Sequence, residues 1–142
     1  IGVSNFEIDH LAELQRETGV IPAVNQIELH PLHQRRDLRA YCVERGIAVE
    51  AWGPLGQGKT DLMDRLAVTE AATRHGKTAA QVVLRWHVQH GTIVFPKTSR
   101  RERLIENSQV FDFVLSDDEM AAIDALDAQH RLGGDPYTFT GE

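Results

Sequence analysis

Several residue types that mark particular protein classes are scarce in this chain of 142 residues. Its single cysteine, Cys42, excludes an internal disulfide, and no stretch has the make-up of a signal peptide. We therefore expect a protein of the reducing cytoplasm. The longest apolar runs are far too short to span a bilayer, so we expect no membrane partner.

Positive charge is also in short supply. Lys and Arg number 15 against 21 Asp and Glu, which gives a net charge of −6. No basic face dominates the chain, and we therefore expect no nucleic-acid partner. The basic residues cluster locally instead, a pattern that suits a small anionic ligand better than a polymer. Apolar residues make up 42% and charged residues 25% of the chain, as in ordinary globular domains.

What the sequence does contain is an alternation of short apolar runs and helical patterns. The runs predict strands at residues 1–3, 24–27, 47–52 and 92–95. The helical patterns occupy residues 34–45, 62–75 and 78–90, and others start near Asn5, Ser99 and Ser116. Such alternation predicts βαβ units, a parallel sheet and right-handed crossovers.

The number of strands indicates that the fold is incomplete. A closed (β/α)8 barrel needs about 250 residues, and this chain has half the strands in somewhat more than half that length. Residue 1 is Ile, not Met, and it already lies in a strand pattern. We interpret residues 1–142 as half of a barrel, with a loose tail at 128–142. Open strand edges and bare apolar inner faces would make the isolated chain associate or leave it partly molten.

Helix starts are predicted from cap residues. Asn5 would cap the first helix, which ends at Gly19. Its buried face would carry Ile8, Leu11, Ala12 and Gln15. Capping boxes, with Ser or Thr followed three residues later by Glu or Gln, begin at Thr78, Ser99 and Ser116.

The basic stretch after the last predicted strand carries the strongest functional signal. The strand stops at Pro96, and Ser99 with Glu102 then fits the capping box of a new helix. The free N–H groups of that helix start would face an anion, beside Lys97 and Arg103. A solvated basic surface turn accounts for the same charges, and the residues alone leave both interpretations open.

Four motifs at the predicted strand ends occur in the order and spacing of a known family. They are Ile1-Gly2-Val3-Ser4-Asn5-Phe6, Val24-Asn25-Gln26-Ile27-Glu28-Leu29-His30-Pro31, Trp52-Gly53-Pro54-Leu55-Gly56-Gln57-Gly58, and Phe95-Pro96-Lys97-Thr98 with Arg103, Glu106 and Asn107. With these motifs the chain resembles the aldo-keto reductases, in particular the bacterial 2,5-diketo-gluconate reductases. The resemblance implies the C-terminal half, strands five to eight, of a (β/α)8 TIM-type barrel.

For the nicotinamide end of NADP, the resemblance implies four residues. Ser4, Asn5 and Gln26 would hydrogen-bond the carboxamide, since their side chains carry the donors and acceptors that an amide needs. Trp52 would stack on the nicotinamide ring. Each has a plainer interpretation: Asn5 as a helix cap and Trp52 as core filling. Gln26 is harder to explain in that way, because an unpaired amide in a buried strand is costly.

For the phosphates and the adenine of NADP, the resemblance implies the remaining motif residues. The pyrophosphate would lie on Gly53, Leu55 and Gln57. The 2′-phosphate would be held by Lys97, Thr98 and Arg103, with Ser99 beside them. The adenine would meet Glu106 and Asn107. These assignments agree with the anion site that the basic stretch indicates independently.

Two other features receive no functional role. His30 and His33 have a metal-like spacing, but Pro31 lies between them and no third ligand follows, so we assign no metal site. Cys42 lies on the inward face of a predicted helix and is interpreted as an inert packing residue.

The resemblance implies NADPH-dependent reduction of aldehydes or ketones, among them keto-sugars, by hydride transfer. The family's catalytic residues lie on strands upstream of Ile1, so no catalytic residue is assigned here. The implied partners are a small carbonyl substrate and the missing N-terminal half-barrel. Two alternatives remain: a non-catalytic NADP-binding sensor or regulatory subunit, and a half-barrel that pairs with itself.

Overall fold

Four parallel strands form the sheet of the structure, a computed structural model that describes residues 1–139. They are β1 (Gly2–Ser4), β2 (Val24–Glu28), β3 (Ala48–Trp52) and β4 (Ile93–Val94). Their order in the sheet is β1-β2-β3-β4, the same as in the sequence. Each connection therefore crosses over to the next parallel strand, and the predicted α/β fold with a parallel sheet is confirmed.

Six α-helices connect and follow the strands. They are α1 (Ile8–Thr18), α2 (Arg36–Glu44), α3 (Leu66–His75), α4 (Ala79–Gln89), α5 (Arg101–Ser108) and α6 (Asp117–Asp124). Two short 3-10 segments, Gly56–Gly58 and Leu62–Asp64, lie between β3 and α3. The predicted stop at Gly19 is confirmed, because Gly19 ends α1 with a φ of 70°, which glycine adopts without strain. No helix in residues 1–139 is long and apolar enough to cross a bilayer.

Side chains along β2 and β3 point alternately to opposite sides, so the two faces of the sheet differ in composition. On one face Ile27, Val49 and Ala51 are buried against Leu11 of α1 and Leu38 of α2. A second core, built around Trp86, holds α3, α4 and α6 together.

The other face of the sheet carries the side chains that alternate with those in the core. Gln26 and Glu50 lie there at paired positions, half-buried, followed by Glu28 and Trp52. The expectation of an apolar inner face is therefore wrong for β2 and β3, because these strands place polar side chains on that face.

The start of α1 differs from the prediction. Glu7, not Asn5, is the N-cap, and its N–H donates to Nδ1 of His10 at 3.1 Å. Asn5 instead adopts a left-handed conformation with a φ of 56°. Of the predicted buried face only Leu11 is buried, whereas Ile8, Ala12 and Gln15 are exposed. The inward side of the helix carries Glu7, Leu11 and the half-buried Leu14, and Glu7 forms an ion pair with Arg35.

The start of α5 also differs from the prediction. Its N-cap is Arg100, which makes no side-chain cap, and the predicted box of Ser99 with Glu102 does not form. The hydroxyl of Thr98 accepts the N–H of Arg100 at 3.1 Å, so the chain is still turning at Ser99. By contrast, the predicted boxes at Thr78 and Ser116 are both present.

The segment after α6 runs back across the molecule. The N–H groups of Ala128 and His130 both donate to the carbonyl of Leu32, and the Tyr137 hydroxyl donates to Asp9 at 2.8 Å. Residues 128–139 thus make specific contacts. The predicted tail extends to residue 142, beyond the described part, and its looseness in solution stays a prediction.

The two serines that the sequence predicts as caps provide a direct test of the fold. Replacing Ser116 with Ala should lower the free energy of unfolding by about 1 kcal/mol, because the Ser116 hydroxyl accepts the N–H of Glu119. Ser99→Ala is the matched control and should change it by less than about 0.5 kcal/mol, as expected at the surface. Urea unfolding of both variants measures the difference. Equal losses would contradict the observed start of α5.

Candidate functional site

A groove of about 680 Å³ opens at the carboxyl ends of β2, β3 and β4. In a parallel sheet these ends meet at one edge, where ligands commonly bind. The predicted site residues that line the groove are Gln26, Trp52, Gly53, Leu55, Gln57, Lys97 and Arg103. They come from three separate stretches of the chain, and the sheet brings them together.

Trp52 forms the flat wall of this groove. Its indole is half-buried and belongs to neither hydrophobic core, unlike the fully buried Trp86. The Nε1–H donates to the side-chain oxygen of Asn5 at 2.8 Å, and the Asn5 N–H donates to the carbonyl of Gln26 at 2.8 Å. The left-handed conformation of Asn5, which Asn tolerates, therefore serves to hold the indole. Neither plain interpretation, a helix cap for Asn5 or core filling for Trp52, fits this geometry.

Gln26 is paired within the protein. Its amide nitrogen donates to a carboxylate oxygen of Glu50 at 3.1 Å, since the two residues lie opposite each other on β2 and β3. The side chain is also only half-buried. The premise that Gln26 is an unpaired amide in a buried strand is thus wrong, whereas its contact with a carboxamide stays a prediction. Sequence reasoning missed Glu50, and only the strand register reveals it.

The loop after β3 is shaped by left-handed residues. Gly53 has a φ of 63°, and its carbonyl accepts the N–H of Gly56 at 2.9 Å. Gln57 has a φ of 54°, which is uncommon for a residue with a side chain and often marks a functional site. The backbone therefore makes a tight turn along the floor of the groove.

A buried histidine on α4 anchors this loop. Nε2 of His87 lies 3.1 Å from the carbonyl oxygen of Pro54. Complete burial lowers the pKa of His87 to about 3, so the imidazole is neutral and its Nε2–H is the donor. Sequence reasoning missed His87, because a histidine between buried helix positions carries no distinguishing signal.

Two cations also line the groove. Lys97 and Arg103 are exposed, and neither forms an ion pair with any residue between 1 and 139. Arg103 belongs to the first turn of α5, whose free N–H groups favour anions. Thr98 and Ser99 form the turn between these two cations but do not line the groove.

The remaining predicted residues lie outside the groove. Ser4 and Asn5 line a neighbouring cavity of about 510 Å³ between α1 and the tail. Glu106 accepts the hydroxyl of Thr78 at 2.6 Å, and this bond ties α5 to the start of α4. Asn107 is half-buried on the same helix. The structure brings seven of the thirteen predicted residues into one groove, and the other six do not line it.

Neither tyrosine of the chain lines the groove. Tyr41 lies on α2 with the Arg45 guanidinium 3.6 Å from its ring centroid, and Tyr137 bonds to Asp9. No histidine lines the groove in the described part of the chain either. Within residues 1–139, no three His, Cys, Asp or Glu side chains are grouped to hold a metal ion.

Comparison with known proteins gives a consistent result. A profile of the Aldo/keto reductase family matches residues 1–128. An aldo-keto reductase of Mycobacterium sp. (strain JLS) is 55% identical over 139 residues, which are 98% of this chain and 50% of the relative. Methylglyoxal reductase DkgA of Escherichia coli (strain K12) is 48% identical over 141 residues, which are 99% of this chain and 51% of the relative.

A solved structure extends this similarity to the fold. The structure of a Gox0644 mutant in complex with NADPH matches with a TM-score of 0.93 and 48% sequence identity. The match covers 99% of this chain and 51% of Gox0644. This chain therefore spans about half the length of the relatives that it matches.

The His87 anchor predicts how stability depends on pH. Because the pKa of His87 is about 3 in the folded chain and about 6.5 when unfolded, its stabilising contribution is complete above the unfolded value and is lost on acidification. Between about pH 7 and about pH 5 this loss should amount to about 2 kcal/mol. His87→Gln keeps a donor for Pro54 but does not titrate, so urea unfolding should show a flatter pH dependence. Parallel curves for the two proteins would contradict the anchor.

Proposed function

Because the chain belongs to the aldo/keto reductase family, we propose that it is the NADP-binding, C-terminal half of a reductase barrel. Three observations support this proposal. The chain spans about half of its relatives, its sheet has four strands, and β1 and β4 each have only one partner strand in the described residues. A closed barrel of this type has eight strands, so a second half would pair with both edges.

We propose that the complete enzyme reduces small aldehydes or ketones with NADPH. When bound, NADPH supplies the hydride, and the protein supplies position and electrostatics. The observation that carries the proposal is that one groove is lined by a flat indole and by two cations that form no ion pair within residues 1–139. Methylglyoxal, named for the relative DkgA, and keto-sugars are the substrate classes that we propose. A cytoplasmic location remains part of the proposal.

The residues around Trp52 fit a nicotinamide. The half-buried face of Trp52 offers a stacking surface beside Gln26. The side-chain oxygen of Asn5 is occupied by Trp52, which leaves its NH2 group to donate to a carboxamide oxygen. The Ser4 hydroxyl, 3.3 Å from the Gln26 carbonyl, would complete the same contact.

The loop after β3 and the residues around Lys97 and Arg103 fit phosphates and adenine. The tight turn of Gly53, Leu55 and Gln57 would carry the pyrophosphate, because its backbone lies open to the groove. The cations Lys97 and Arg103 would hold the 2′-phosphate, with Thr98 and Ser99 in the turn between them. Glu106 and Asn107, one turn further along α5, would contact the adenine.

We propose that the 142-residue chain by itself does not catalyse reduction of a carbonyl substrate. Acid catalysis needs a donor within hydrogen-bond reach of the carbonyl oxygen, and no Tyr or His lines the groove in the described residues. The donor would come from the other half of the barrel. That half is then a partner of this chain, together with the small carbonyl substrate.

Arg103 provides the test of cofactor binding. A charge-assisted contact is worth roughly 1.5–3 kcal/mol, so Arg103→Ala should weaken NADPH binding by about ten- to a hundred-fold. Affinity for NADH, which lacks the 2′-phosphate, should stay almost unchanged. Calorimetric titration of both cofactors measures this in the complete reductase.

Arg101→Ala is the matched control for Arg103→Ala. Arg101 belongs to the same turn of α5 and is exposed, but it does not line the groove. Its replacement should change NADPH affinity less than about three-fold, which is the effect of a distant surface charge. Equal weakening of NADPH and NADH by Arg103→Ala would overturn the assignment.

A further inference from the structure

We propose that Glu28 is a positioning residue that clamps the tail against Trp52 and thereby fixes the indole that lines the groove. The proposal rests on the proposed function for its link to the cofactor, since Trp52 is the residue that would stack on nicotinamide. The clamp itself rests only on contacts within this chain. It joins the end of β2 to a segment more than one hundred residues later in the sequence.

Glu28 is an unusual residue for the interior of a sheet. Its side chain is only 1% exposed, and its carboxylate receives three donors. One oxygen accepts the N–H of Leu132 and lies 3.1 Å from Nε2 of His30, and the other accepts the N–H of Gly133 at 2.8 Å. A buried carboxylate is costly unless it is hydrogen-bonded in this way. These bonds fix the backbone of two consecutive tail residues.

The charge state of Glu28 is suited to this task. Burial acts to raise the pKa of Glu28, but the hydrogen bonds from Leu132, Gly133 and His30 outweigh it and hold the pKa below its ordinary value. The group is therefore ionised near neutral pH, and both of its oxygens accept. His30 is neutral, because its own burial lowers its pKa, so its Nε2–H donates.

The clamp places Gly133 directly on the indole. A Cβ atom on Gly133 would lie 2.4 Å from Cη2 and 3.0 Å from Cζ2 of Trp52. Only a glycine fits there, and the reason is contact with the ring, since the φ of Gly133 is one that other residues also adopt. The indole is thus held at two places. Asn5 binds its Nε1–H, and Gly133 packs against its six-membered ring.

The contacts of Glu28 and Gly133 act as a clamp on Trp52 and not only as packing. Neither Glu28 nor Gly133 lines the groove, yet together they decide where the indole can lie. If the tail were released, Trp52 would keep its bond to Asn5 but lose the contact at the opposite side. Glu28 would then influence cofactor stacking only through Trp52, which makes it a positioning residue and not a catalytic one.

The test uses fluorine NMR of the chain labelled with 5-fluorotryptophan. The chain contains two tryptophans, so the buried Trp86 serves as an internal reference for Trp52. Gly133→Ala should move the Trp52 resonance and leave that of Trp86 in place. The matched control is Gly2→Ala, where a Cβ atom would meet nothing closer than 3.6 Å, and it should move neither resonance.

Glu28→Gln tests the carboxylate with almost no change of shape. A glutamine presents one oxygen and one NH2 group, so it cannot accept both backbone N–H groups. Hydrogen exchange of the Leu132 and Gly133 amides should therefore accelerate by about ten- to a hundred-fold, and the Trp52 resonance should move. Glu119→Gln, which alters another buried carboxylate on α6, should weaken the fold but leave the Trp52 resonance unchanged.

The outcomes distinguish the clamp from the cofactor assignment. Trp52 resonances that are identical in the wild type and in Gly133→Ala would overturn the clamp. Unprotected Leu132 and Gly133 amides in the wild type would overturn it as well. A Trp52 resonance that responds to both variants but not to added NADPH would support the clamp and contradict the cofactor assignment.

Discussion

The parallel register between β2 and β3 is the constraint on which the rest of the structure depends. Val24 lies opposite Ala48, and each further pair follows along the two strands. Because side chains alternate between the faces, this register sends Ile27 and Val49 to the helices and pairs Gln26 with Glu50 on the opposite face, where Gln26 lines the groove. A slip by one residue would exchange the two sets. The hydrophobic core and the candidate site are therefore specified together.

The same register explains why a candidate site can exist on a chain that spans about half of its relatives. The core under α1 and α2 and the core around Trp86 are both formed by residues of this chain. Polar side chains on the other face of the sheet also find hydrogen-bond partners within this chain. Gln26 bonds to Glu50, and Glu28 accepts N–H groups of the tail. The second half that we propose would add pairing at the edges of β1 and β4, which have one partner strand each within residues 1–139, and a proton donor for the groove.

Much of this organisation could be predicted from the sequence, because its signals are local. Strand and helix patterns gave the element order, and the Ser116 box was correct because its cap and its partner are three residues apart. Ser99 shows the limit of such patterns. The Thr98 hydroxyl accepts the Arg100 N–H and so holds a turn at Ser99, and α5 buries no residue that would fix its start.

The features that could not be predicted depend on contacts between distant residues. Asn5 fits a helix cap by type, and only the position of Trp52 shows that its side chain is used elsewhere. Glu28 and Gly133 are 105 residues apart, and no local pattern connects them. The role of His87 likewise depends on its hydrogen bond to the Pro54 carbonyl, which only the fold brings close to it. The location of the groove could be predicted from the sequence, but the long-range contacts that position its lining residues could not.

The central claim is that this chain holds the cofactor of a reductase and needs another half for catalysis. The most direct measurement is NADPH oxidation with methylglyoxal by the purified chain, alone and co-expressed with the part of Escherichia coli DkgA that it does not match. We predict turnover only for the combined halves, with none for either half alone. A purified, monomeric chain that reduces methylglyoxal at ordinary enzymatic rates by itself would contradict the claim.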